Sequence, residues 1–203
     1  MSLRDEQKQL TRQRLVAASY EVFARSGYID TSIQDITNAA DINRATFYQH
    51  FSGKPEIFAA AIDYQLTISA MDHWETLDDA LTTGTQASIR GWLEDASHWW
   101  IANAPFVAAW QQANAVESTL RATQTAVYDR IGNSLKRYQM TLPEDAERKR
   151  HVLVVEMLIL QLSGALTEYL EPNPPRDKLA DVLDALTEIW CASLHIHTPT
   201  PTR

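Results

Sequence analysis

The chain has 203 residues, enough for one or two domains, and 45% of them are hydrophobic, enough for a buried core. A net charge of −8 excludes a protein that coats nucleic acid through charge alone. One cysteine, Cys191, excludes an intrachain disulfide framework and points to a reducing compartment.

Apolar residues recur at helical spacing throughout, with no strand-like alternation and no internal repeat, so the chain reads as all-α. Asp5 to about Ser26 is the first predicted helix. Leu15, Ala18, Val22 and Phe23 form its buried stripe, and Gly27 ends it. Thr31 and Ser32 are N-cap residues for a second helix, with Gln34 and Asp35 placed as in a capping box. Ile33, Ile36, Ala39 and Ala40 give that helix one apolar face. Asp41-Ile42-Asn43 breaks the pattern, and Asn43 caps a third helix from Arg44 to Phe51.

On that third helix Phe47 and Phe51 fall on the inner side, joined by Ile42 from the turn. Ala45, Thr46 and Gln49 fall on the outer side, with Arg44 and Tyr48 on one flank and His50 on the other. Small and amide side chains let a helix approach base edges in a major groove, where Gln pairs with adenine and Thr or Ala meets a thymine methyl. Cationic, phenolic and imidazole groups at the flanks suit phosphates. Residues 1–58 carry 7 Lys/Arg and 7 Asp/Glu; the remainder carries all of the net negative charge. No acid lies between Ile42 and Pro55, so this stretch is locally positive on a chain that otherwise repels DNA. Arg4, Lys8 and Arg12 near the chain start also lie within reach of phosphates, although a solvated charged face explains each of them singly.

Thr-Ser-Ile-x-Asp-Ile, then Ala-Asp-Ile-Asn, then Thr-Phe-Tyr-x-His-Phe-x-x-Lys-x-x-Ile-Phe resembles the DNA-binding region of TetR/AcrR-type transcriptional regulators over about Gln7 to Phe58. Two positions depart from the usual pattern: Asp41 stands where the turn usually has Gly, and Gly53 precedes Lys54. The resemblance implies a three-helix helix-turn-helix DNA-binding domain over 1–53 and a larger helical effector-binding and dimerisation domain over 54–203. It implies a homodimer on a palindromic operator, with two recognition helices about 34–36 Å apart in successive major grooves. Gln34, Arg44, Ala45, Thr46 and Gln49 are then expected on bases, and Ser32, Tyr48, His50 and Lys54 on phosphates. A repressor released by a small-molecule effector is favoured.

Lys54 to about Met71 is predicted as one stiff helix with Ile57, Phe58, Ala61, Ile62, Leu66 and Ala70 spaced for packing. Asp72 to Gly84 reads as an acidic loop, with Glu75, Asp78 and Asp79 solvated. Helices follow over Thr85–Asn103, from Pro105, over Glu117–Met140, and from Pro143 to Glu171. The last runs from Arg176 to Leu194 after Pro172-Asn173-Pro174-Pro175, and the tail from His195 frays. Val152 to Leu166 is apolar on nearly every face, which calls for a second buried side and hence a second copy of the chain in a four-helix bundle.

Five of the six tryptophans lie between Trp74 and Trp110. Aromatic density of this kind suits a pocket for an apolar or aromatic ligand. Trp92, Trp99, Phe106, Trp110, Tyr128 and Met157 are the candidate lining residues, with Glu156, Gln161 or His98 as polar anchors. Cys191, His195 and His197 have no fourth ligand nearby, so no metal is expected, nor any cofactor. No phosphate-binding glycine loop, nucleophile elbow or HExxH motif is present, so an enzyme is not expected. The polar N-terminus shows no signal peptide, and no segment shows the roughly 20 apolar residues of a membrane helix; a soluble cytoplasmic protein is expected. Two rivals remain open: an all-α ligand carrier or interaction protein that reads no DNA, and an all-α enzyme using the aromatic region.

Overall fold

The computed structural model describes residues 2–69, 71–143, 145–169 and 174–196. The expected packing of Leu66 and Ala70, the side chain of Asp72, the turn at Pro172-Asn173 and the position of His197 lie outside the described residues. Ten helices and no strand occur among those described, so the fold is all-α. The chain divides into two compact units, 1–71 with 105–125 and 72–104 with 126–203.

The first unit contains α1 (Leu3–Ser26), α2 (Ile33–Ala40), α3 (Arg44–Tyr48) and α4 (Lys54–Ser69). The C-terminal part of α6 (Gln86–Val116) and the start of α7 (Ser118–Ser134) complete it. Ser2 and Asp5 form a capping box that starts α1, and Gly27 ends it at φ 75°. Leu15, Val22, Phe23, Ile36, Phe47, Ile57 and Phe58 are fully buried where α1 packs on α2 and α4. The Phe58 ring meets Phe23 edge-on at 4.7 Å and stacks on Phe106 at 5.5 Å, while Tyr20 lies 4.6 Å from Phe106. Aromatic pairs at such spacings add to the apolar burial.

The second unit contains α5 (Met71–Thr83), the first part of α6, most of α7, α8 (Lys136–Thr141), α9 (Asp145–Tyr169) and α10 (Arg176–Ser193). Four local expectations change between α5 and α8, the one at Pro105 within the part of α6 that belongs to the first unit. The acidic stretch is a helix, because Leu77, Ala80 and Leu81 are buried at helical spacing, and Gly84 stops it at φ 62°. Pro105 lies inside α6 and starts nothing; it removes one backbone donor, and burial of Phe106, Val107 and Ala109 holds the helix beyond it. The predicted 117–140 helix breaks at Leu135, whose ψ is 53°. The restart has a tertiary cause. Asp78, buried and not solvated, accepts the backbone N–H groups of Arg137 at 3.0 Å and Tyr138 at 2.8 Å, where α8 begins. Asp79 pairs with the Arg137 guanidinium.

Val155, Leu158, Ile159, Leu162 and Leu166 of α9 are buried. Leu153, Met157 and Leu160 lie on its other side and are 45–60% exposed. Gly132 lets α7 approach α9 closely: a Cβ there would stand 2.7 Å from Glu156 Oε1 and 2.8 Å from Val152 Cγ1. By length and composition α9 is long and apolar enough to cross a membrane, contrary to the expectation that no segment is. The cause is its two apolar faces, of which one is buried in this unit.

Candidate nucleic-acid interface

Local chemistry sets the second and third helices. Ser32 and Asp35 form a reciprocal capping box on α2: Ser32 Oγ accepts from the Asp35 N–H, and Asp35 Oδ2 accepts from the Ser32 N–H at 2.9 Å and hydroxyl at 2.6 Å. These bonds hold the Asp35 carboxyl below the usual carboxylate range. Thr31 donates instead to the Gly27 carbonyl at 2.6 Å. Asp41 takes the left-handed conformation at φ 52°, and the Ile42 N–H returns to the Thr37 carbonyl at 3.0 Å, a Schellman closure without glycine. Asn43 Oδ1 then accepts the Thr46 N–H at 2.8 Å and caps α3.

The regular helix α3 is shorter than expected and stops at Tyr48, the chain turning on through Gln49 and His50 to Phe51. Phe47 and Phe51 are buried as anchors. Arg44, Ala45, Tyr48 and Gln49 are exposed, and Thr46 and His50 are half-buried. The Arg44 guanidinium donates to the Tyr48 hydroxyl at 3.3 Å, so one cation and one phenol share a flank. Gln34 is exposed on α2, with its amide donating to Asn38 Oδ1 at 2.7 Å.

Two residues expected on phosphates, Lys54 and Ser32, have partners within the chain. The Lys54 ammonium donates to the carbonyls of Tyr28 at 2.9 Å, Ile29 at 3.3 Å and Thr31 at 3.0 Å, and lies 4.4 Å from the Tyr28 ring centroid. All three of its N–H groups are engaged. It is a clasp on the α1–α2 loop. The Ser32 hydroxyl proton is likewise taken by Asp35, which makes Ser32 a cap.

Residues with no sequence signal complete the clasp. Gln112 Oε1, from α6, accepts the Tyr28 N–H at 2.8 Å and the Ile29 N–H at 3.3 Å. Glu117 accepts the Tyr28 hydroxyl at 2.8 Å. Burial and that carboxylate push the Tyr28 phenol well above its ordinary range. Arg14 donates to the Ala40 carbonyl at 2.8 Å and so satisfies the end of α2. These partners are distant in sequence, and only folding brings them together.

The six candidate pocket residues have different surroundings. Trp92 is buried in the second unit, 6.2 Å from Trp74 and 5.2 Å from Trp190. Trp99 pairs with Trp100 at 6.0 Å. Tyr128 is half-buried on α7. Phe106 belongs to the first unit's aromatic cluster with Tyr20 and Phe58, and Trp110 to the same unit. Met157 is 60% exposed on the outer face of α9 and does not line an interior wall of its unit. Trp190, absent from the candidates, is fully buried with its indole N–H unpartnered. Among the described residues no cluster of His, Cys, Asp and Glu has metal-site geometry.

Residues 15–61 match the model of bacterial regulatory proteins, tetR family. The chain is 31% identical over 187 residues to the transposon Tn10 TetC protein of Escherichia coli, covering 92% of this chain and 79% of that one. It is 40% identical over 75 residues to the HTH-type transcriptional repressor DhaR of Mycobacterium sp. strain GP1, an alignment that spans 34% of this chain and only 35% of DhaR. A solved TetR-family transcriptional regulator from Mesorhizobium loti superposes with a TM-score of 0.64 at 14% identity, over 91% of this chain and 96% of that one.

Proposed function

The chain belongs to the tetR family of bacterial regulatory proteins, and from that premise we propose that this DNA-binding transcriptional regulator is an effector-released repressor acting as a homodimer on a palindromic operator. Residues 1–53 read DNA, and residues 54–203 bind the effector and the second copy. Gln34, Arg44, Ala45, Thr46 and Gln49 meet base edges, while Tyr48 and His50 hold phosphates. The observation that carries this reading is the outward row of α3, exposed or half-buried above two buried phenylalanines, in a stretch with no carboxylate from Ile42 to Pro55. Ser32 and Lys54 act one step back, by fixing α2 and the loop before it.

Dimerisation is supported by the apolar outer face of α9, which one copy leaves in water. An effector with a hydrogen-bond acceptor on an aromatic or apolar body is supported by the Trp74–Trp92–Trp190 cluster and the unpartnered Trp190 N–H. The protein works in the cytoplasm, where its DNA is.

Selection of bound duplexes from a random-sequence library tests the reading. A palindromic consensus should emerge, with binding that weakens steeply as salt rises and drops at least ten-fold in Tyr48→Ala. Failure to enrich any sequence refutes it. Quenching of tryptophan fluorescence by aromatic compounds, reduced in Trp190→Phe, tests the effector site.

A further inference from the structure

One corner of the first unit gathers three basic side chains. Lys8 and Arg12 stand one turn apart on α1, both exposed. The Arg12 guanidinium lies 4.8 Å from the centroid of the Phe51 ring. His50, the neighbour of Phe51 in the chain, feels the charges of both. From α4 the facing carboxylate is Glu56; it feels Arg12, and it is itself bound to the Ser52 N–H and hydroxyl at 2.7 Å each. The charges acting on His50 are therefore Lys8 and Arg12, both positive. Like charges gathered at a surface are relieved by an anion, and the planar fork of Arg12, steadied on an aromatic face, suits a phosphate.

We propose that Lys8, Arg12 and His50 together receive one backbone phosphate of the operator, and that His50 takes up a proton as this phosphate arrives. The inference rests on the DNA-binding reading above. Burial first, then Lys8 and Arg12, hold the His50 imidazole below its ordinary range, which favours its neutral form in the free protein. A phosphate seated among the three groups reverses the local field and favours the imidazolium. The complex then binds more protons than its separated parts. Lowering the pH through the window between the free and bound midpoints must therefore tighten DNA binding, and raising it must loosen binding. Arginine or lysine at position 50 gives the grip without this pH dependence, because neither titrates in that range.

The experiment measures affinity of the full-length protein for a duplex it has itself selected from a random library, between pH 8 and pH 6 at fixed salt. Affinity should rise as the pH falls, by no more than about ten-fold per pH unit for each bound head, because one imidazole takes up at most one proton. His50→Gln should flatten the profile. Lys8→Gln should raise the midpoint of the His50 imidazole resonance in the free protein and cut the salt slope by about one per head. Duplex binding by the unaltered protein should raise that same midpoint, which assigns the proton even if His50→Gln folds poorly. Affinity independent of pH, or a pH profile that survives His50→Gln, overturns the inference and leaves the regulator reading standing. If no duplex is selected at any pH, the reading beneath it fails as well.

Discussion

Asp41 holds the turn between α2 and α3 in a conformation that L-residues other than asparagine and aspartate rarely adopt. Its backbone closes α2 well, yet its Cβ is strained at φ 52°. Asp41→Gly removes that strain and adds freedom to the unfolded chain, two effects of opposite sign. We expect a net gain of about 0.5 kcal/mol in urea unfolding, because the left-handed penalty is about 1–2 kcal/mol and the added entropy is smaller. A loss of stability would mean that the Asp41 carboxylate does more than tolerate the turn. Gly27 poses the opposite case. At φ 75° a Cβ would stand 2.6 Å from Gln112 Oε1, so Gly27→Ala meets both backbone strain and a collision with the clasp. A cost of about 2 kcal/mol is expected, measured the same way.

At the scale of elements, the C-terminal part of α6 and the start of α7 lie in the same compact unit as the DNA-reading helices. Gln112 and Glu117 grip the loop of residues 27–31, which leads directly into the Ser32 cap of α2. Lys54, at the start of α4, grips the same loop from its carbonyl side. Gln112→Ala deprives two backbone N–H groups of their acceptor, at a cost of about 1–3 kcal/mol if they stay buried. The expected outcome is weaker DNA binding with an unchanged salt slope, since no phosphate contact is lost. A reduced salt slope would instead place Gln112 on the DNA. In the second unit Asp78 plays a comparable part by starting α8 through two backbone N–H groups.

For the whole molecule, the outer face of α9 determines the proposed assembly. Leu153, Met157 and Leu160 follow one another at spacings of four and three residues and are all at least 45% exposed. Packed against a second copy they would lose water together with the partner's equivalents. Met157→Lys combined with Leu153→Asp places charges on that seam, and sedimentation should then show a monomer that keeps its helix content. The same variant should lose operator affinity by at least a hundred-fold, because one head alone cannot use both half-sites. A dimer that survives both charges would move the interface elsewhere.

The sequence by itself determined the head. Its caps at Ser32 and Asn43, the inward Phe47 and Phe51, and the outward Ala45, Thr46 and Gln49 follow from interactions within a turn or two of helix, which local order specifies. The all-α class follows likewise from apolar spacing. Only the tertiary structure decided that the acidic 71–83 stretch is a helix, that Pro105 is carried through α6, and that Lys54 holds carbonyls. It alone brought Gln112 and Glu117 to Tyr28, 84 and 89 residues away in the chain. Helix caps are written in neighbouring residues, whereas a proline's tolerance or a lysine's partner depends on groups that chain order does not place nearby.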